Sequence, residues 1–278
     1  MASAASDVQL QDFANIFSLK GKVAVVSGGS RGLGLHAASG LLQAGCSKVF
    51  ITSRKASACN EAVAALNALQ NKQPGAKAYS IPADSSKISE IERLVKEVEQ
   101  HTDHVDILFA NAGATWGSYF DQVDEKNGWD KVMDLNVKGV FAPLLEKRAS
   151  VEDPSRVIVT GSVAGIGTGS SGESGAYSYA ASKAAVLHLA RNLAVELGPR
   201  HILVNSIAPG FFMSKMAAVL MERAGGVEAL NKGSPNGRTG KPEDIAAAVV
   251  FLSSRAGSHV NGDTIVLDGG KIHGSNKL

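Results

Sequence analysis

The sequence predicts one α/β domain, a doubly wound parallel sheet of about seven strands with helices on both faces. Three observations predict it. Short β-branched apolar runs alternate with helical runs along nearly the whole chain, and such alternation builds parallel sheets through right-handed crossovers. The first apolar run passes directly into a glycine-rich turn and then a helix. No repeat or linker composition divides the 278 residues, and a hydrophobic content of 44% is enough for one sizeable core.

Met1 to about Phe17 reads as a loosely ordered extension, residues 18–270 as the domain, and residues 271–278 as a polar tail. Lys22 to Ser27 is the first strand, apolar enough to be buried on both faces. Gly28-Gly29-Ser30-Arg31-Gly32-Leu33-Gly34 follows, then a helix from Leu35 to Ala44 closed by Gly45. In this Rossmann-like context, glycines permit a tight turn and close backbone approach, and the helix N-terminus offers free N–H groups to a pyrophosphate. Gly28, Ser30, Arg31, Gly32, Leu33 and Gly34 are therefore candidate cofactor-binding residues, with a purely structural turn as the alternative. The spacing is Gly-x-x-x-Gly-x-Gly, which departs from the Gly-x-Gly-x-x-Gly fingerprint.

Lys48 to Ser53 is the second strand. Its end lies about 20 residues past the glycine turn, where an acid would hold a ribose 2′-hydroxyl. Here it reads Ser53-Arg54-Lys55. Arg54 and Arg31 together favour a 2′-phosphate, hence NADP(H), unless both are solvated surface arginines. A helix from Ala56 to Asn71 leads to a third strand, Ala76 to Ile81, and Asp84 at its C-terminal end joins the cofactor-binding candidates. Ser86 to Gln100 reads as an amphipathic helix. Val105 to Ala110 is the fourth strand and ends in Asn111-Ala112-Gly113, a ligand-docking turn or a local cap.

Trp129 to Arg148 begins helically and carries Asn136 on an apolar face, either a core amide or a site residue. Arg156 to Thr160 is the fifth strand, and Gly161-Ser162 ends it at the same sheet edge. After a Gly/Ser-rich loop, Tyr179 to Gly198 reads as a helix on which Tyr179 and Lys183, four apart, share a face. A cation beside a phenol lowers its pKa and makes it a general acid; the plainer reading is a surface Tyr–Lys pair. Ile202 to Ile207 is the sixth strand and closes in Ala208-Pro209-Gly210. Residues 211–232 read as a helical lid, whose Phe211, Phe212, Met213, Met216, Leu220 and Met221 face an apolar ligand or the core. A helix from Pro242 to Leu252 and a last strand, Thr264 to Leu267, complete the domain.

A net charge of +2 without basic runs argues against nucleic acid. No apolar run of membrane-spanning length and no secretory signal are visible, so no membrane association is expected. Cys46 and Cys59 lack metal or redox spacing and read as free thiols in a reducing compartment, consistent with the cytoplasm. His101 and His104 have no third ligand nearby, so no metal site is expected.

Taken in order, these motifs resemble the classical short-chain dehydrogenase/reductase family from about Leu19 to Gly270. Within it the chain is most similar to NADPH-dependent 3-oxoacyl reductases, including the rhamnolipid type, and to fungal polyketide ketoreductases. The resemblance implies that Asn136, Ser162, Tyr179 and Lys183 are the catalytic residues. It places Asn111, Ala112, Gly113, Pro209 and Gly210, with Tyr179 and Lys183, against the cofactor. Ser162 and Tyr179 would bind a substrate carbonyl, Tyr179 would deliver the proton, and Asn136 would hold a water that refills it through Lys183. A homo-oligomer, dimer or tetramer, is implied as well. An NADP-dependent alcohol or polyol dehydrogenase acting oxidatively, and a catalytically silent NADP(H)-binding sensor or scaffold, are the alternatives.

Two spacings depart from the family pattern. Ser162 and Tyr179 are 17 residues apart, a few more than usual, which lengthens the loop beside the substrate. The segment from Asn136 to Arg156 is shorter than usual and bears on the choice between dimer and tetramer.

Overall fold

The structure is a computed structural model describing residues 8–138, 149–168, 171–172, 175–214 and 225–274. Its strands are β1 (Val23–Ser27), β2 (Lys48–Thr52), β3 (Lys77–Ser80), β4 (Ile107–Ala110), β5 (Ser155–Thr160), β6 (Ile202–Pro209) and β7 (Thr264–Leu267). Its helices are α1 (Gly32–Gln43), α2 (Ala56–Asn67), α3 (Ile88–Glu99), α4 (Lys131–Asn136), α5 (Tyr177–Leu197), α6 (Gly226–Lys232) and α7 (Pro242–Ser253).

Successive residues of a strand face opposite sides of a sheet. In β1, Ala24 and Val26 enter one core layer while Val23 and Val25 enter the other. Because both sets are apolar, the strand is stable only when covered on both sides. The seven strands accordingly form one all-parallel sheet in the order β3-β2-β1-β4-β5-β6-β7. Leu41 of α1, Leu66 of α2 and Ile245 of α7 cover one face. Leu94 of α3 and Val186 and Ala190 of α5 cover the other. Each large apolar side chain so buried contributes about 1.5–3 kcal/mol. A Cβ at Gly40 would lie 2.6 Å from the Ala246 Cβ, so glycine is what lets α1 and α7 approach this closely.

The strand order reverses between β1 and β4, and the C-terminal ends of those strands open a crevice there. Among the described residues, no helix is long and apolar enough to cross a membrane.

Several elements differ from the sequence expectations. α5 begins at Tyr177, two residues early. β6 runs through Pro209, because its pairing with β5 ends at Ile207 and only β7 flanks it beyond. The helix expected from Trp129 begins as a π-helical turn, Glu125–Asp130, capped by the Asp124 carboxylate, before α4. Its expected continuation over residues 139–148 lies outside the described residues.

The helical lid expected over residues 211–232 is not continuous. Phe211 to Ser214 is non-helical, and α6 accounts for seven residues at the far end. Phe212 is buried in the core, where its ring fills the space a side chain at Gly240 would need, and this holds the segment extended. Met213 is exposed, while Met216, Leu220 and Met221 lie outside the described residues.

The described part of the N-terminal extension is tied down. It forms a 3-10 turn, Phe13–Asn15, and the Arg255 guanidinium donates to the Gln11 and Asp12 carbonyls.

Candidate active site

The glycine turn leaves β1 with Gly28 at φ +65° and enters α1 through Gly32 at φ +54°, a region that L side chains rarely occupy. Gly34 packs against the turn itself, since a Cβ there would lie 2.3 Å from the Gly28 carbonyl oxygen. On its outer side the turn is open: a Cβ at Gly32 would meet only the Ser214 Cβ, at 3.8 Å. Arg31 is the extended N-cap of α1, and no side chain caps the first turn. Gly32, Leu33 and Gly34 therefore carry the backbone donors that the helix cannot use itself.

Ser53 at the end of β2 donates to the Ser30 hydroxyl at 2.9 Å, tying the glycine turn to the neighbouring strand. Arg31 and Arg54 are both exposed along this edge. Asp84 follows β3. Burial would raise its pKa, but the Ser86 hydroxyl and N–H, with Arg54 and Lys87 nearby, hold it below the ordinary carboxylate value.

Asn111 works mainly as a clamp. Its N–H donates to the Ser27 hydroxyl at 3.0 Å, its amide nitrogen to the Ser27 carbonyl at 3.1 Å, and its amide oxygen accepts from the Thr160 hydroxyl at 3.2 Å. The Ala112 N–H also donates to the Ser27 hydroxyl. Gly113 leaves room for the next layer, because a Cβ there would lie 3.2 Å from the Asn136 amide oxygen and 3.7 Å from Lys183 Nζ. Across the site, the Gly210 N–H donates to the Leu267 carbonyl at 3.0 Å and holds the Pro209-Gly210 turn at the end of β6.

The four polar residues singled out in the sequence converge here. Ser162 follows β5, Tyr179 and Lys183 lie on α5, and Asn136 ends α4. Asn136, Ser162 and Lys183 are all buried. The Ser162 hydroxyl, which accepts from the Ala164 N–H at 3.2 Å, lies near enough to the Tyr179 phenol to oppose the rise of its pKa. Lys183 Nζ lies 5.6 Å from the Tyr179 ring centre and donates to the Thr160 carbonyl at 2.6 Å. Burial pulls the Lys183 pKa down to about 8.

For Tyr179, burial pushes the phenol above its ordinary value, and the Ser162 hydroxyl opposes that rise. The sequence expectation was a phenol lowered by Lys183. In this structure desolvation outweighs any such lowering.

Asn136 is held by the segment after β4 and by α5. Its amide nitrogen donates to the Ala114 carbonyl and to the Ser182 hydroxyl, each at 2.9 Å, and its amide oxygen accepts from the Ala114 N–H at 2.8 Å. Both amide hydrogens are thus committed within the protein, and a bound water would meet an Asn136 oxygen.

Sequence reasoning did not single out Ser182. It is fully buried and donates to the Tyr179 carbonyl at 2.7 Å while accepting from Asn136. A hydroxyl three residues after Tyr179 on a helix was the available signal. Ser27 and Thr160 were also missed as clamp residues, and their place at strand ends was the clue.

Comparison with known proteins places this arrangement. The family model described as Enoyl-(Acyl carrier protein) reductase matches residues 28–271. The rhamnolipids biosynthesis 3-oxoacyl-(acyl-carrier-protein) reductase of Pseudomonas aeruginosa is 44% identical over 260 residues, covering 91% of this chain and 97% of that protein. The hydroxynaphthalene reductase-like protein Arp2 of Metarhizium brunneum is 34% identical, covering 92% and 96%. The RhlG/NADP active-site complex from Pseudomonas aeruginosa superposes with a TM-score of 0.84 at 42% identity, covering 93% of this chain and 99% of that one.

Two predictions follow from the buried polar groups. Lys183→Met should stabilise the cofactor-free protein at pH 7, where the parent lysine is charged in both folded and unfolded states and its burial is penalised. The folded-state pKa is about 8 and the unfolded value is higher, so the unfolded chain binds more protons between them. Parent stability then rises with pH through that window and the Met advantage shrinks, as urea unfolding at pH 7 and pH 10 would show. Ser182→Ala leaves a buried Asn136 N–H without its acceptor, and urea unfolding should show a loss of about 1–3 kcal/mol.

Proposed function

This chain belongs to the short-chain dehydrogenase/reductase family, and from that premise we propose that it is an NADPH-dependent ketoreductase. Its reaction is the reduction of a 3-oxoacyl or polyketide-like ketone to a secondary alcohol. The observation that carries the reading is the meeting of Ser162, Tyr179 and buried Lys183 at the sheet edge that also carries the glycine turn.

The residues present fit NADP(H). The open glycine turn and uncapped start of α1 suit a pyrophosphate. Exposed Arg31 and Arg54, with no acid at the end of β2, suit a 2′-phosphate. When bound, NADPH supplies the hydride.

The chain's own residues handle the oxygen and the proton. The Ser162 and Tyr179 hydroxyls, already adjacent, converge on the substrate carbonyl oxygen. Ser162 donates to that oxygen as negative charge grows on it, and Tyr179 transfers its proton there, leaving the alcohol. The resulting phenolate lies beside Lys183. An amine with a pKa of about 8 stays largely protonated at pH 7, so a cation is present when the phenolate forms. Asn136 and Ser182 position the Tyr179 turn of α5 against Ala114.

The same site catalyses alcohol oxidation when the cofactor ratio favours it, so the oxidative reading differs in direction and not in residues. The presence of all four polar residues argues against a silent NADP(H)-binding scaffold. A small-molecule carbonyl substrate, a homo-oligomeric state, a cytoplasmic location and the absence of a nucleic-acid partner belong to the same proposal. The modest net charge and the lack of an apolar spanning helix among the described residues support its last two parts.

Tyr179→Phe tests the proton donor. Turnover of a 3-oxoacyl thioester should fall by about 10²–10⁴-fold, with NADPH affinity by fluorescence titration nearly unchanged. Normal turnover by the Phe variant would reject Tyr179. Reduction of an enoyl thioester in preference to any ketone would reject the ketoreductase assignment. Arg54→Ala should weaken NADPH about tenfold and NADH far less, measured by the same titration. Equal effects on both cofactors would remove the 2′-phosphate assignment.

A further inference from the structure

The Lys183 ammonium is buried, and a buried cation needs acceptors for its donors. Among the described residues it bonds to the Thr160 carbonyl, at 2.6 Å. The strand pattern explains why that carbonyl is available. Pairing between β4 and β5 ends at Ala110 and Val159, one residue before Thr160. On the other side of β5 the next residue continues the ladder, the Gly161 N–H donating to the Ile207 carbonyl at 2.8 Å. The Thr160 carbonyl therefore lies past the end of β4, where a buried acceptor must find a donor outside the sheet. Lys183 supplies it.

The Thr160 side chain has a different partner. Its hydroxyl donates to the Asn111 amide oxygen at 3.2 Å. The Asn111 amide nitrogen donates in turn to the Ser27 carbonyl at 3.1 Å and to the Gly28 carbonyl at 3.4 Å. Gly28 opens the glycine turn at φ +65°. A threonine hydroxyl is one torsion away from its own backbone, and β-branching stiffens that torsion. Holding the hydroxyl thus holds the peptide whose carbonyl faces Lys183.

We propose that Thr160 is a positioning residue for the reaction: its hydroxyl, held through Asn111 by the foot of the glycine turn, aims its carbonyl at the Lys183 ammonium. This role rests on the ketoreductase reading, in which a cation stands beside Tyr179 as the phenolate forms. A carbonyl acceptor favours the charged amine, against the burial that draws its pKa down to about 8. The titratable group beside it, the Tyr179 phenol, is held above its ordinary value by burial and stays protonated across this range. Loosening the carbonyl lowers the Lys183 pKa further, so the cation is lost at a lower pH.

Thr160→Val keeps the branching and removes the hydroxyl. In the full chain with NADPH and a 3-oxoacyl thioester, kcat should fall about three- to tenfold with KM nearly unchanged. The alkaline limb of the kcat profile should move down by about half to one pH unit. NMR of protein isotope-labelled at lysine Cε, with Lys183 identified by its absence from Lys183→Met, should show the same downward shift in its titration. Thr160→Ser keeps the hydroxyl and should restore most of the parent kcat and titration, which a general loss of packing would not give. Asn111→Ala should move the Lys183 titration the same way, and adding it to Thr160→Val should move it little further.

A parent-like Lys183 titration in Thr160→Val would overturn the role. So would a Ser variant that shifts as far as the Val one. Lost NADPH affinity with an unmoved titration would overturn it as well, because Thr160 would then support the cofactor edge alone. If Thr160→Val does not fold, Thr160→Ala makes the same comparison. If the parent reduces no ketone, that result rejects the ketoreductase reading, and the Lys183 titration alone decides whether Thr160 aims its carbonyl.

Discussion

The amide of Asn111 holds three strand ends together at the place where the sheet order reverses. It bonds to Ser27 at the end of β1 and to Thr160 at the end of β5, while its own backbone closes β4. Each such bond nets about 1 kcal/mol, but leaving a buried partner unmade costs more. The clamp leaves no room for side chains around it. A Cβ at Gly28 would lie 2.8 Å from the Asn111 amide nitrogen, and one at Gly34 would lie 2.7 Å from it. The glycines of the turn therefore serve two purposes, backbone freedom and space for this amide. Thr160 in turn presents its carbonyl to Lys183, so the cofactor edge and the reacting groups share one support.

The second layer is a buried polar chain. Ala114, Asn136, Ser182 and Tyr179 are linked by hydrogen bonds of 2.7–2.9 Å. Burial makes every one of these groups expensive to leave unpaired, and that is why the chain is rigid. Burial also shapes the chemistry. It draws the Lys183 pKa down to about 8 and raises that of the neighbouring phenol. A phenol kept protonated in the resting site is a proton donor, and the adjacent cation matters once that proton has left.

Much of this was legible in the sequence because it depends on local rules. The alternation of β-branched and helical runs gave the strands to within about two residues, the usual uncertainty of element ends. Tyr179 and Lys183 were legible through helix periodicity, and Arg31 and Arg54 through their positions relative to the glycine turn. What could not be read concerns residues whose contacts depend on a distant partner. Phe212 read as facing either an apolar ligand or the core, and the fold buries it with its ring against Gly240, from a later segment. Asn136 read as either a core amide or a site residue, and only the fold shows that Ala114 and Ser182 take its amide hydrogens. Lys271 and Ile272 fall where a polar tail was expected, and there Lys271 lies over the Phe211 ring while Asp268 accepts from the Ile272 N–H.

The sequence by itself determined the parallel α/β class and the glycine turn, and it singled out Arg31, Arg54, Tyr179 and Lys183 as candidates. Periodicity, turn chemistry and spacing are properties of neighbouring residues, and those can be read along a chain. The tertiary structure alone decided which polar groups pair, which pKa values rise or fall, and which late residues lie beside early ones. Those depend on burial and on contacts between segments far apart in sequence. Asn111 and Thr160, 49 positions apart, become partners only when parallel strands bring their ends to one edge.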